Sequence, residues 1–116
     1  MKYFTHNEFD SPDEAGSGKK MKTDFLEMLD FAREEAEIPF KITSGFRTEE
    51  HNKKVGGVEN SSHLKGCAAD ISCTSSSQRS IIIRSLINVG FTRLGIANSF
   101  IHVDNDADKP DAIWLY

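Results

Sequence analysis

Two short apolar runs of this chain each enclose a titratable residue, and this combination constrains the fold more than any other feature. Asp70 lies within Cys67–Cys73, and His102 lies between Ile101 and Val103. Both runs have the composition of a buried strand. A carboxylate or an imidazole in such surroundings is unstable unless it is hydrogen-bonded, ion-paired or bound to a metal. The fold must therefore bring partners to both side chains.

The rest of the hydrophobic pattern predicts an α+β fold in which helices flank a central antiparallel sheet. Apolar residues at helical spacing, with capping and stop signals, predict helices over 24–37, 48–54 and 78–89. Apolar runs bounded by turn residues predict strands over 40–43, 67–73, 91–96, 100–104 and 112–116. Asp24 is expected to cap the first helix. The segment 11–20 lacks apolar periodicity and is expected to be a loop.

The length and charge of the chain limit its possible functions. Its 116 residues are predicted to form a single domain with one core, spanning 1–116. Fourteen Lys and Arg residues against 18 Asp and Glu residues give a net charge of -4, which argues against a protein held to nucleic acid by a basic surface. No apolar run approaches the ~20 residues of a membrane span. The first residues do not resemble a secretory signal, so we expect synthesis and folding in the cytoplasm.

The two cysteines, Cys67 and Cys73, are predicted to be buried free thiols. Their spacing is not the Cys-x-x-Cys of a redox or zinc site. On one extended strand their side chains would share a face but would lie too far apart to form a disulfide.

Three residues have the side chains that bind zinc in catalytic sites. Asp70 and His102 lie in strand-like sequence, and His63 precedes Asp70 by seven residues in a segment expected to be a loop. Two histidines and one carboxylate are the protein ligands of many catalytic zinc sites, which leave a fourth position for water. The alternative is a hydrogen-bonded aspartate with two partly exposed histidines. The residues by themselves leave both interpretations open.

Several motifs follow one another in a fixed order along the chain. They are Ser44-Gly45-Phe46-Arg47, His51-Asn52-x-x-Val55-Gly56-Gly57, Ser61-x-His63-x-x-Gly66-x-Ala68-x-Asp70, His102-x-Asp104 and Trp114-x-Tyr116. Together they cover most of the chain, and the set resembles the zinc D-alanyl-D-alanine carboxypeptidases and related murein peptidases, whose fold is also seen in the hedgehog signalling domain. The resemblance implies that fold, and it implies that His63, Asp70 and His102 bind Zn²⁺.

The same resemblance implies roles for Arg47 and Ser61. Arg47 matches the arginine that faces the substrate, and a permanently charged guanidinium can hold a peptide carboxylate or a developing oxyanion. The alternative is a surface arginine that pairs with Glu49 or Glu50. Ser61 matches the motif serine, which either binds substrate or orients its loop.

The sequence departs from the family pattern at the general base. Many members have Glu or Asp three residues before the second zinc-binding histidine, and here that residue is Ser99. Asp104, two residues after His102, lies on the same side of the predicted strand. We expect Asp104 either to accept the proton of the attacking water or to orient a ligand histidine.

The resemblance implies a zinc-dependent metallopeptidase that cleaves peptidoglycan peptides at bonds involving D-alanine, as a carboxypeptidase or as an endopeptidase of the endolysin type. The alternative, which the serine at position 99 permits, is a catalytically weak, zinc-stabilised module that binds cell-wall peptides. The cell wall lies outside the membrane, so we expect a protein without a signal to reach it after phage-type release, or as part of a phage-borne or secreted assembly. Because the motifs occupy most of the chain, we expect weak intrinsic targeting to the wall. The sequence does not predict the oligomeric state.

Other residues near the motifs are expected to have structural or solvated roles. Trp114 and Tyr116 are expected to close the core rather than to line a substrate groove. Asp106, Asp108 and Asp111 lie in a polar segment and are expected to be solvated, with Asp106 the closest of them to the His102 motif.

Overall fold

The computed structural model describes residues 1–116 and confirms the α+β fold. Its α-helices are α1 (Thr23–Ala36), α2 (Glu49–Lys54) and α3 (Ser76–Asn88). Its strands are β1 (Ile42–Ser44), β2 (Ala68–Ser72), β3 (Arg93–Ile96), β4 (Phe100–Asp104) and β5 (Ala112–Leu115). Short 3₁₀ helices span His6–Phe9 and Ser17–Lys20. None of the α-helices has both the length and the apolar composition needed to cross a membrane.

The five strands form one sheet in the order β1-β2-β4-β3-β5. The first three neighbouring pairs are antiparallel, as expected, but β3 and β5 are parallel, so the sheet is mixed. Arg93 at the start of β3 is opposite both Asp104 at the end of β4 and Ala112 at the start of β5. The segment 105–111 therefore passes the start of β3 before β5 begins, which makes β5 run in the direction of β3.

The predicted helix boundaries differ from the observed ones because of local capping. α1 begins at Thr23 with Lys22 as its N-cap, so Asp24 lies in the first turn and is not the cap. α3 begins two residues before the predicted start because the Ser75 hydroxyl accepts a hydrogen bond from the backbone N–H of Gln78. The segment 11–20 is not entirely a loop, since a 3₁₀ helix occupies its last four residues.

The hydrophobic core lies on one face of the sheet, and the candidate site lies on the other. Ile71 on β2 and Ile101 on β4 are fully buried in the cluster that also contains residues of α1 and α3. Side chains alternate between the two faces of a strand. Asp70 and His102, which neighbour these isoleucines in sequence, therefore point to the opposite face. The same strands that build the core thus present two polar side chains away from it.

Cys67 and Cys73 are buried and free, as predicted. Burial raises the pKa of the Cys67 thiol to about 11, and the nearby carboxylates of Asp106 and Asp104 add to the effect. Cys67 is therefore a neutral thiol at physiological pH, consistent with a structural role.

Candidate metal centre

The structure brings His63, Asp70 and His102 together, and all three are buried. Their candidate ligand atoms lie within 4.8 Å of one another. Asp70 Oδ1 is 3.0 Å from His102 Nδ1 and 3.3 Å from His63 Nε2. The sequence-based grouping of these three residues matches the geometry, and the alternative with partly exposed histidines is wrong.

Asp70 and His102 meet because β2 and β4 pair in the necessary register. The two residues are direct partners in the antiparallel ladder, between the flanking pairs Ala69–Val103 and Ile71–Ile101. Side chains that are directly opposite each other on one face of an antiparallel pair have close Cβ atoms. The core contacts of the flanking residues therefore also fix the distance between these two polar side chains.

His63 reaches the cluster from the loop that precedes β2, where hydrogen bonds hold its position. Its Nδ1 is 2.8 Å from the carbonyl oxygen of Gly45. A carbonyl oxygen only accepts hydrogen bonds, so Nδ1 carries a proton and Nε2 is the nitrogen that faces Asp70. The Ser61 hydroxyl accepts a hydrogen bond from the His63 backbone N–H at 3.2 Å. This contact corresponds to the loop-orienting alternative for Ser61.

His102 is held from the other side by Asp104. Its Nε2 is 2.7 Å from Asp104 Oδ2, while Asp104 Oδ1 accepts hydrogen bonds from Arg93 Nε at 2.7 Å and from the backbone N–H of Asp106 at 3.1 Å. Asp104 is only 1% exposed. Both of its oxygens thus have partners, and its contact to the cluster is through the His102 ring.

The donor set fits a tetrahedral zinc ion. Two atoms bonded to such an ion at roughly 2.0–2.1 Å lie about 3.3 Å apart, close to the observed separations of 3.0 and 3.3 Å between Asp70 and the two histidines. Zinc-binding histidines usually donate the N–H of their second nitrogen to a carbonyl or a carboxylate. His63 and His102 do this to Gly45 and Asp104 respectively. The cluster therefore has the composition, the spacing and the supporting hydrogen bonds of a zinc site.

The electrostatics of the cluster favour a charged aspartate. Burial opposes ionisation of Asp70, but the hydrogen bonds from His102 and His63 hold its pKa well below the ordinary range. Burial lowers the pKa of His102, yet hydrogen bonds to Asp104 and Asp70 outweigh it, and the pKa is raised. A cation that binds here competes with a proton on His102. The pair of carboxylates around His102 therefore attracts positive charge to this position.

Arg47 lies beside the cluster and not on the open surface. Its Nη2 is 3.5 Å from Asp70 Oδ2, and its Nε donates a hydrogen bond to Ser44 Oγ at 3.1 Å. Its ion pair is with Asp70 and not with Glu49 or Glu50, so the surface-pair alternative is wrong. A guanidinium at this position can contact a substrate held next to the metal ligands.

Asn52 holds the Arg47 side chain in position. This contact could not be predicted from the place of Asn52 in its sequence motif. The Asn52 side chain accepts a hydrogen bond from Arg47 Nη1 at 3.3 Å and donates one to the Val58 carbonyl at 2.8 Å. Gly57 makes this arrangement possible, because a Cβ there would lie 2.0 Å from Asn52 Oδ1. The one sequence signal was an asparagine followed by the glycines Gly56 and Gly57, a pattern that also ends ordinary helices.

The cluster lies in a cleft of about 470 Å³. The cleft is lined by Arg47, the three candidate ligands and the aromatic residues Phe100, Trp114 and Tyr116. The expectation that Trp114 and Tyr116 close the core is wrong, since Trp114 is only half-buried and Tyr116 is 67% exposed. The centroid of the Trp114 ring is 5.4 Å from that of His102. We call Phe100, Trp114 and Tyr116 the aromatic wall.

Asp106 is buried, which overturns the expectation that it is solvated, whereas Asp108 and Asp111 are exposed. Asp106 accepts hydrogen bonds from Ser62 Oγ at 2.7 Å and from Lys65 Nζ at 2.9 Å. Burial opposes ionisation, but these hydrogen bonds lower the pKa of Asp106 to about 2. Asp106 thus ties the segment after β4 to the loop that carries His63.

The comparison with protein families agrees with this geometry. The sequence matches the family model described as Peptidase M15 over residues 2–104, a region that contains Arg47, His63, Asp70 and His102. No curated protein matches the chain.

Proposed function

This chain belongs to the peptidase M15 family, and from this premise we propose that it is a zinc-dependent metallopeptidase that cleaves peptidoglycan peptides at bonds involving D-alanine. The observation that carries the proposal is the convergence of His63, Asp70 and His102 in a cleft, with the second nitrogen of each histidine already hydrogen-bonded. Asp70 supplies a ligand oxygen, His63 supplies Nε2 and His102 supplies Nδ1.

Bound zinc would supply the chemistry of water activation and carbonyl polarisation. The protein supplies orientation and charge. Asp104 keeps the His102 ring in the tautomer that directs Nδ1 towards Asp70. Arg47 holds a substrate carboxylate or the oxyanion that develops during hydrolysis.

We assign Asp104 primarily to orienting His102. Both of its oxygens are hydrogen-bonded, to His102 and to Arg93, and the residue is only 1% exposed, so the carboxylate is committed mainly to these partners. Ser99 is exposed and does not line the cleft. A bound zinc ion would reduce the demand on a protein base, because it would make the attacking water more acidic.

The test is the incubation of defined muropeptides with zinc-loaded protein, followed by mass analysis of the products. We expect new fragments from cleavage next to D-alanine, no cleavage after exhaustive chelation, and recovery when Zn²⁺ but not Mg²⁺ is returned. The masses of the fragments distinguish a carboxypeptidase from an endopeptidase. Full hydrolysis by the chelated protein would contradict the proposal.

The second candidate function is a zinc-stabilised module that binds cell-wall peptides without cutting them. The exposed position of Ser99 and the occupied oxygens of Asp104 favour it, because they leave the cleft without a carboxylate free to act as a base. In the same assay this function predicts that muropeptides bind to zinc-loaded protein and remain intact.

We further propose that the protein acts on the cell wall after phage-type release across the membrane. The support is the substrate class implied by the family. The test compares lysis of cells that express the protein with and without a membrane-permeabilising protein. Lysis that requires the second protein supports the proposal, and equal lysis without it contradicts the proposal.

A further inference from the structure

The Tyr116 hydroxyl is a hydrogen-bond donor in the cleft that the proposed mechanism does not use. His63, Asp70 and His102 are committed as ligands, and Asp104 is committed to His102 and Arg93. Tyr116 lines the same cleft, and the residue is 67% exposed, so its hydroxyl is accessible to a bound molecule. Its role is therefore open.

The position of the Tyr116 ring is fixed by the sheet. Gly95 on β3 is opposite His102 on one side and Trp114 on the other. A Cβ on Gly95 would lie 2.7 Å from Tyr116 Cε2, so the edge of the tyrosine ring covers this glycine. Because Gly95 is the cross-strand neighbour of His102, the phenol lies at the side of the cleft nearest that histidine. The missing side chain at position 95 lets the tyrosine approach.

The surroundings of the phenol support a role near developing charge. Its ring packs against Phe100, with the centroids 5.1 Å apart, and against Trp114 at 6.4 Å. Burial and the carboxylates of Asp70 and Asp104 raise the pKa of Tyr116, while Trp114 and Arg47 oppose the shift. The hydroxyl therefore keeps its proton at neutral pH and is a donor, not a base.

We propose that the Tyr116 hydroxyl is a catalytic hydrogen-bond donor that stabilises the oxyanion formed from the scissile carbonyl. This inference rests on the proposed peptidase function. Tyr116 is exposed when the cleft is empty, and a bound peptide would cover it and exclude water, which strengthens such a hydrogen bond. The hydroxyl hydrogen-bonds to the oxyanion together with Arg47, and it gains its partner only as negative charge develops on the carbonyl oxygen.

The test compares the zinc-loaded wild type with Tyr116→Phe, which keeps the ring and removes the hydroxyl. We expect kcat/KM for a muropeptide substrate to fall roughly 100- to 1000-fold, mostly through kcat, as for the loss of an oxyanion donor. We also expect at least roughly 10-fold weaker binding of a phosphinate analogue of D-alanyl-D-alanine, which mimics the tetrahedral state. Zinc content should be unchanged. Tyr3→Phe, at the other tyrosine of the chain, is the matched control.

The analogue measurement separates failure of this inference from failure of the proposed function. A wild type that binds the analogue but cleaves no peptide contradicts the peptidase proposal, and the affinity of Tyr116→Phe then decides the role of the hydroxyl. Equal analogue affinity in Tyr116→Phe and wild type overturns the inference. A loss of analogue affinity in Tyr116→Leu but not in Tyr116→Phe also overturns the inference, because the ring and not the hydroxyl would then be responsible for binding. Absence of analogue binding to the wild type overturns both proposals.

Discussion

The candidate metal cluster combines ligands from two different scaffolds, a pair of core strands and a buried loop. Asp70 and His102 are held by the register of β2 and β4, whose alternate residues form the core. His63 is held by hydrogen bonds between loop segments, from its ring to Gly45 and from its backbone N–H to Ser61. The strand ligands inherit their positions from core packing. The loop ligand depends on polar contacts that form only when the whole domain has folded.

The two scaffolds also differ in how they support their histidines. His102 donates to a carboxylate that is itself ion-paired with Arg93, whereas His63 donates to a neutral carbonyl. A charged acceptor makes a stronger hydrogen bond and increases the basicity of the ligand more than a neutral one. We therefore expect changes on the strand side to affect metal affinity, and changes on the loop side to affect mainly substrate turnover.

The largest effect should come from removing either histidine, whatever its scaffold. His63→Ala and His102→Ala each leave two protein ligands, so we expect both variants to lose stoichiometric zinc and all hydrolysis. Metal content after dialysis and the muropeptide assay measure the two losses. The exposed His6→Ala is the control. Wild-type zinc content in His63→Ala would show that the loop ligand is dispensable and would break the comparison.

The next largest effect should follow from Asp104→Asn on the strand side. The substitution keeps the shape but removes the charged acceptor of His102, so zinc affinity should fall roughly 10- to 100-fold. Competition with a chelator of known affinity measures this change, and the exposed Asp108→Asn is the control. Wild-type affinity combined with a large loss of kcat would instead identify Asp104 as the general base.

A smaller effect is expected from Asn52→Ala in α2, whose side chain contacts the loop side through the Val58 carbonyl. Arg47 would lose one of its hydrogen bonds, and the Val58 carbonyl would lose its donor. We expect kcat/KM to fall about 10-fold through misplacement of the guanidinium, with zinc affinity unchanged. Substitution of the neighbouring His51 by Ala, measured in parallel, should leave both quantities near wild type. A loss of zinc affinity in Asn52→Ala would contradict the distinction between the two scaffolds.

The smallest effect on the site should come from Asp106→Asn, which alters the contact that ties the loop to the segment after β4. Because the folded pKa of Asp106 is about 2, below its ordinary value of 3.8, its ionisation stabilises the fold above pH 3.8, and this contribution is lost as the pH falls towards 2. We expect Asp106→Asn to lower the free energy of unfolding by about 2 kcal/mol at neutral pH, and by much less at pH 2. Denaturant titrations of the metal-free protein at both values measure this. A difference independent of pH would contradict the prediction.

Much of the strand side of the site could be predicted from sequence, because its signal is local. A polar residue inside an apolar strand needs a hydrogen-bonding or charged partner. His102 and Asp104 are two residues apart, so both side chains lie on the same face of the strand. The loop side was predictable only in part. His63 stood out through its motif, but its alignment depends on the Gly45 carbonyl, a backbone atom that leaves no mark on the sequence.

The residues that were predicted wrongly have sequence patterns that occur in both buried and exposed segments. Asp106 lies in a polar segment like any solvated one, and its partner Lys65 is 41 residues away in sequence. Trp114 lies in a continuous apolar run, as a core residue would, yet β5 lies at the edge of the sheet. The parallel direction of β5 likewise follows from the path of residues 105–111 in space, which no local pattern encodes.

The attachment of β5 has an evolutionary consequence. This strand pairs with β3 alone and carries Trp114 at the side of the cleft, whereas the ligand strands β2 and β4 lie inside the sheet. Substitutions in β5 can therefore reshape one boundary of the cleft without shifting the register that sets the cluster. Natural selection can thus change which peptides are accepted while the hydrolytic machinery is inherited intact.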